Sequence, residues 1–150
     1  MELKDLLAPE RIVELASREK LGALKEIVTV AARCDAVSDP AGLERAVLER
    51  EEILSTGIGF GVAVPHAKIP TVRRFIGAIG ISRAGIPYDA LDGEPVRMLI
   101  LIAGPSGDNR TYLGLLSKIV RVVRRPESLQ RLLAAGVPDG VLEVFRETSL

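Results

Sequence analysis

Apolar residues recur at helical spacing in some stretches of this chain and run almost unbroken in others. Leu21, Leu24, Ile27, Val28 and Ala31 lie three or four positions apart, which puts them on one face of a helix ending near Cys34. Ser17 stands ahead of it as the expected N-cap. Asp39-Pro40 starts a second helix, a capping carboxylate followed by a residue whose fixed φ suits the first turn. Leu43, Ala46, Val47 and Leu54 line its apolar face. Arg50 falls between Ala46 and Leu54 in the four-residue repeat, so its guanidinium is not simply on the solvated side.

The remaining pattern reads as short strands and further helices. Leu3 to Leu7 suits a turn or short helix, and Arg11 to Leu15 a brief strand. Gly57, Gly59 and Gly61 alternate with Ile58, Phe60 and Val62, a segment suited to close backbone approach or tight turns. Val62 to Val64 extends as a strand, since Pro65 biases Val64 away from helix, and His66 follows at the strand end or in a loop. Phe75 to Ile81 is another strand, Asp89 to Glu94 a turn, and Pro95 to Ala103 a strand buried in the sheet centre. Gly104-Pro105-Ser106-Gly107 breaks the chain before Asp108 or Asn109 caps a helix with a Leu113, Leu116, Val120, Val123 stripe. Pro126, Gly136 and Pro138 separate two shorter helices near Glu127 to Ala134 and Asp139 to Arg146. Strands interrupted by helices predict an α/β fold, and with no low-complexity linker or repeat, residues 1–150 form one domain.

Composition narrows the functional classes. At 47% hydrophobic with three Phe, two Tyr and no Trp, the chain builds an aliphatic core. Twenty basic residues balance twenty acidic ones, which argues against a dedicated nucleic-acid binder. Arg73-Arg74 and Arg121 to Arg125 supply only local positive charge. The longest strongly apolar run, Met98 to Ala103, is too short to insert in a membrane, and the N-terminus lacks a secretory pattern, so a cytoplasmic domain is expected. The single Cys34 excludes an internal disulfide and a cysteine-rich metal site.

The chemistry centres on the only histidine, His66, the one side chain with an ordinary pKa near neutrality. The glycines before it match neither a phosphate loop nor a dinucleotide fingerprint. The residues alone leave a hydrolytic triad, a metal ligand and a phosphohistidine open. The last needs one nucleophilic nitrogen and groups that stabilise phosphoryl charge. Arg50 offers a bidentate fork, and Ser55, Thr56 and the backbone N–H groups of Gly57, Gly59 and Gly61 offer neutral donors.

The segment from Arg50 to His66, Arg-Glu-Glu-Ile-Leu-Ser-Thr-Gly-Ile-Gly-Phe-Gly-Val-Ala-Val-Pro-His, resembles the signature of fructose/mannitol-type IIA domains. These belong to the bacterial phosphoenolpyruvate-dependent phosphotransferase system and include its nitrogen-regulatory branch. Gly85-Ile-Pro-Tyr-Asp-Ala-Leu-Asp-Gly-Glu-Pro-Val96 and Leu113-Gly-Leu-Leu-Ser-Lys-Ile119 support the likeness, which spans nearly the whole chain. The resemblance implies an α/β/α sandwich with a mixed sheet. It implies that His66 accepts phosphate at Nε2 from HPr or a related carrier, Nδ1 being held by a backbone acceptor, with Arg50 neutralising the phosphoryl group. No metal or cofactor is implied, and the downstream partner would be a regulatory protein or a sugar-specific IIB domain.

The usual second histidine of such domains is replaced here by Tyr112. A phenol donates a neutral hydrogen bond but, with an ordinary pKa of about 10, does not accept a proton at neutral pH. Retained phosphorylation with altered kinetics is the favoured expectation, and a noncatalytic protein-binding module is the rival. An unrelated hydrolase using His66 as base is a weaker third. Lys68 is expected in solvent, Asp92-Gly93 in a turn and Asp108 as a helix cap.

Overall fold

The computed structural model describes residues 1–148. Its elements are α1 (Leu3–Leu6), β1 (Ile12–Glu14), α2 (Lys20–Ala31), α3 (Pro40–Ile53), β2 (Gly57–Gly59), β3 (Val62–Ala63), β4 (His66–Lys68), β5 (Ile76–Ile86), β6 (Val96–Gly104), α4 (Asn109–Val123), α5 (Pro126–Ala134) and α6 (Asp139–Thr148). The sheet is mixed, in the order β1-β5-β6-β3-β2, with β4 pairing β6 beyond β3. The long antiparallel β5–β6 pair forms its spine, and β3 and β4 both run parallel to β6.

Strand β6 shows why this is a three-layer sandwich. Only Arg97 of its nine residues is exposed, so both faces are covered. Leu99, Leu101 and Ala103 pack into a core with Leu24, Ile27 and Val28 of α2 and Leu43 and Val47 of α3. Met98, Ile100 and Ile102 face the opposite core, made by α1, α4 and α6 with Leu115, Ile119, Val141 and Phe145. Period-two alternation along one strand therefore feeds two separate hydrophobic layers. No helix among the described residues is long and apolar enough to cross a membrane.

Several sequence expectations shift. The N-cap of α2 is Glu19, not Ser17, whose Oγ instead accepts the Glu19 N–H at 3.3 Å. α3 ends at Ile53, so Leu54 leaves the apolar face and is 58% exposed. The buried stripe of α4 is Tyr112, Leu115, Ile119, Val122 and Val123, while Leu113 is 59% exposed. Apolar residues fill so much of this helix that two phases of the pattern fit, and packing selects the one that buries Tyr112. β5 runs on to Ile86, beyond the expected Ile81. Asp39 and Asp108 cap as expected, accepting from Gly42 N and Thr111 N, each at 3.0 Å.

The segment approaching His66 makes two short strands and a turn. Phe60 has φ 61°, flanked by Gly59 at 91° and Gly61 at 74°, a left-handed turn that glycine tolerates on either side. Gly57 permits close contact, since a Cβ there would lie 2.6 Å from the Ala90 Cβ and 2.9 Å from its Cα.

Candidate functional site

His66 opens β4, an edge strand whose ladder partner is β6. Pro65 breaks the run between β3 and β4 but its carbonyl still accepts the Ile102 N–H at 3.1 Å, keeping the chain on the sheet. The His66 Nδ1 lies 3.0 Å from the Val64 carbonyl oxygen. A carbonyl only accepts, so Nδ1 carries the proton and Nε2 keeps its lone pair. Burial holds the half-buried imidazole below the usual histidine pKa; the Val64 bond opposes this, and the Arg50 and Lys68 cations reinforce it. At neutral pH the ring is a neutral nucleophile.

Arg50, Ala46, Glu49 and Ile53 of α3 share an open cleft of about 330 Å³ with His66, Ala67 and Lys68. Arg50 sits in the last turn of α3 and its Nη1 donates to the Leu54 carbonyl at 2.8 Å. The cation thereby caps the negative end of the helix dipole and is held at the cleft. Ile53, on the rim, is 80% exposed. From the other helix layer, Tyr112 in the first turn of α4 brings its ring within 4.9 Å of the imidazole, tilted by 37°. Burial raises the phenol's pKa, only partly opposed by Arg50, so Tyr112 stays protonated at neutral pH. Lys68 is not simply in solvent: its Nζ stands 4.9 Å over the Tyr112 ring and donates to Asn109 Oδ1.

The structure thus gathers His66, Arg50 and Tyr112 and adds Lys68. It places the other donors elsewhere. Ser55 Oγ donates to the Tyr88 carbonyl at 3.3 Å and accepts from Gly57 N at 3.2 Å. Thr56 donates both its N–H, at 3.0 Å, and its hydroxyl, at 2.5 Å, to the carboxylate of Glu51. Gly59 and Gly61 lie at the β2–β3 turn beside Val62, which aligns with Met98 of β6, whereas His66 aligns with Ile102.

Sequence reasoning missed the buried network around Glu51. Lys20 Nζ approaches Glu51 Oε1 at 2.9 Å and stands 4.5 Å over the Tyr88 ring. The Thr56 hydroxyl has one proton, already given to Glu51, so the Tyr88 hydroxyl 3.0 Å away donates to it. Burial opposes ionisation of Glu51, but the Thr56 hydroxyl, Lys20 and the Thr56 N–H outweigh it and hold its pKa below the ordinary carboxylate range. The available signal was position: Glu51 follows Arg50 inside the signature segment, and Tyr88 lies in the second matching stretch.

This architecture is that of phosphotransferase-system IIA domains. The nitrogen regulatory protein IIA-Ntr of Neisseria meningitidis superposes with a TM-score of 0.89 over 95% of this chain and 98% of that one, at 24% identity. The mannitol IIA of Escherichia coli gives 0.78 over 93% and 98%, at 20% identity. The sequence profile of the phosphoenolpyruvate-dependent sugar phosphotransferase system EIIA 2 family matches residues 6–148, and the chain belongs to that family. It is 34% identical over 98% of its length to the fructose-specific EIIABC component of Bacillus subtilis, of which it spans only 23%. It is 32% identical to the nitrogen regulatory protein of Bradyrhizobium diazoefficiens, covering 97% of this chain and 95% of that protein.

Proposed function

We propose that this protein is a phosphoryl carrier that accepts phosphate on His66 Nε2 from the phosphohistidine of an HPr-type protein and passes it to a downstream protein. The observation that carries this reading is the Nδ1–Val64 bond, which leaves Nε2 as the nucleophilic nitrogen of a histidine sharing its open cleft with Arg50. Neutral His66 attacks phosphorus, the N–P bond to the donor's protonated imidazole breaks, and its electron pair returns to that ring. Each imidazole keeps the proton on its other nitrogen. The positive charge passes with the phosphoryl group to His66, where the Val64 carbonyl stabilises the Nδ1 proton.

Positioning and electrostatics supply the rate. Arg50 neutralises the transferring oxygens with the free arm of its fork, Tyr112 donates a neutral hydrogen bond, and Lys68, lining the same cleft, adds positive charge. Thr56 supports the approach to His66 by accepting the Val64 N–H on its carbonyl. Ser55, Gly57, Gly59 and Gly61 build the β2–β3 segment away from the imidazole and are not assigned a bond to phosphate. The exposed Ile53 gives an incoming carrier apolar contact at the cleft.

For the downstream step we adopt a regulatory partner, since similarity runs end to end over nitrogen regulatory proteins of Bradyrhizobium and Pseudomonas. A sugar-specific IIB domain is the second reading. It is favoured by the free-standing fructose-specific EIIA component of Haloferax volcanii, 30% identical over 98% of both chains. A IIA domain of the same fold is also known in complex with phosphorylated mannitol IIB. Mixing the protein with a phosphorylated HPr-type carrier tests the reading. Phosphorus NMR should show the donor signal replaced by a new phosphohistidine signal, and His66→Gln should abolish it. Persistence of the donor signal with intact protein would overturn the proposal.

A further inference from the structure

Glu51, Thr56, Val64 and His66 form one continuous line of hydrogen bonds. The Glu51 side chain, 5% exposed, accepts both donors of Thr56, so neither the backbone nor the hydroxyl of that residue is free to swing. The Thr56 carbonyl accepts the Val64 N–H at 2.9 Å. The Val64 carbonyl accepts from His66 Nδ1 at 3.0 Å. The Tyr88 hydroxyl and Lys20 brace the outer end, on Thr56 and Glu51 respectively. Val64 itself is buried, and Pro65 restricts the junction that follows it.

The Glu51 carboxylate is buried while its Lys20 partner is 25% exposed, and desolvating a carboxylate offsets much of what such a pair gains, so stability alone does not account for a charge at this position. Here the carboxylate is the residue after Arg50. Adjacent positions on a helix point about 100° apart, so one turn of α3 sends a guanidinium to the cleft and a carboxylate to Thr56, just ahead of β2.

We infer that Glu51 is a positioning residue for phosphoryl transfer, fixing the tautomer and direction of His66 through Thr56 and the Val64 carbonyl. The inference rests on His66 being the phosphoryl acceptor for its effect on rate, but its effect on the imidazole does not depend on that. Loss of the Glu51 charge or of the Thr56 hydroxyl loosens Thr56, lets the Val64 carbonyl drift, and allows the Nε2–H tautomer, whose lone pair sits on Nδ1 and leaves Nε2 unable to attack. Misplacement of a nucleophile by about 1 Å costs up to about a hundredfold in rate.

The test compares Glu51→Gln, Thr56→Val and Thr56→Ser in the full chain. Nitrogen NMR of labelled imidazole reads the neutral tautomer, and transfer kinetics with a phosphorylated HPr-type carrier read kcat and KM separately. The unmodified protein should hold the Nδ1–H form, and Glu51→Gln and Thr56→Val should show a mixture of tautomers. Their kcat should fall about tenfold with KM for the carrier unchanged, and Thr56→Ser should restore both readouts. If Glu51→Gln does not fold, the two threonine variants decide. Folded variants with lowered melting temperature but an unchanged tautomer and kcat would reduce Glu51 to a structural residue and overturn the inference. Absence of phosphorylation even in the unmodified protein would instead sink the carrier reading, while the tautomer measurement still decides the role of Glu51.

Discussion

Replacing Tyr112 with phenylalanine removes one oxygen from the site and leaves the rest of the packing in place. The ring is 7% exposed, 4.9 Å from the His66 ring and 4.9 Å beneath Lys68, and phenylalanine keeps all three relations. Among the described residues nothing is hydrogen-bonded to the Tyr112 hydroxyl, so Tyr112→Phe strands no buried partner. The resting protein should change in stability by about 1 kcal/mol or less, a melting shift of roughly 3 °C for a domain of this size. The phosphorylated form should respond differently. A hydrogen bond to a charged oxygen contributes about 1.5–3 kcal/mol. At about 1.4 kcal/mol per decade, that is roughly a 10- to 150-fold change in transfer rate or phosphohistidine lifetime. Stopped-flow transfer from a phosphorylated carrier, hydrolysis of the isolated phosphoprotein and thermal melting separate these quantities. Unchanged transfer and lifetime, with an unchanged melting temperature, would show that the phenol does not touch the phosphoryl group.

Arg50→Lys keeps a cation near the C-terminus of α3 but loses the planar fork, and should lower kcat about tenfold in the same transfer assay. Arg83 bonds the carbonyls of Leu133 and Ala135 at 2.5 and 3.1 Å, tying β5 to the end of α5. With its side chain 49% exposed, those bonds are partly screened; Arg83→Met should cost about 1–2 kcal/mol, lower the melting temperature by roughly 3–6 °C, and leave transfer unchanged. His66 should titrate below its ordinary 6.5, so the transfer rate should hold as pH falls to that value and decline only through the lower folded pKa, as read by NMR titration and a pH–rate profile. The same sign governs stability: because the unfolded chain takes up this proton first, the contribution of neutral His66 is full above 6.5 and fades on acidification through the folded value.

Elements with many residues in one register were readable from the chain, because burial repeats the same choice several times. The α2 face from Leu24 through Ala31, the Asp39-Pro40 start of α3 and the unbroken run of β6 belong to this group. Leu21, expected on that α2 face, is instead 54% exposed because it lies in the first turn outside the core. Strands β2 and β4 do not: each has three residues, and pairing with β3 and β6 rather than local propensity makes them strands. The centre of the site, His66 with Arg50 and Tyr112, was legible from one signature and its departure. Its support was not, since Thr56 and Tyr88 meet across 32 positions, and a lone threonine or tyrosine carries no local mark of a buried bond. Lys68 was misjudged for a related reason, its partners Tyr112 and Asn109 being supplied by α4.

Intact-protein mass after incubation with phosphoenolpyruvate, enzyme I and an HPr-type carrier most directly tests whether His66 carries phosphate. An addition of one phosphate that is stable in alkali, lost in acid and absent from His66→Ala is the predicted result. No addition to folded protein under conditions that fully phosphorylate the upstream carrier, or an addition that survives His66→Ala, would contradict it.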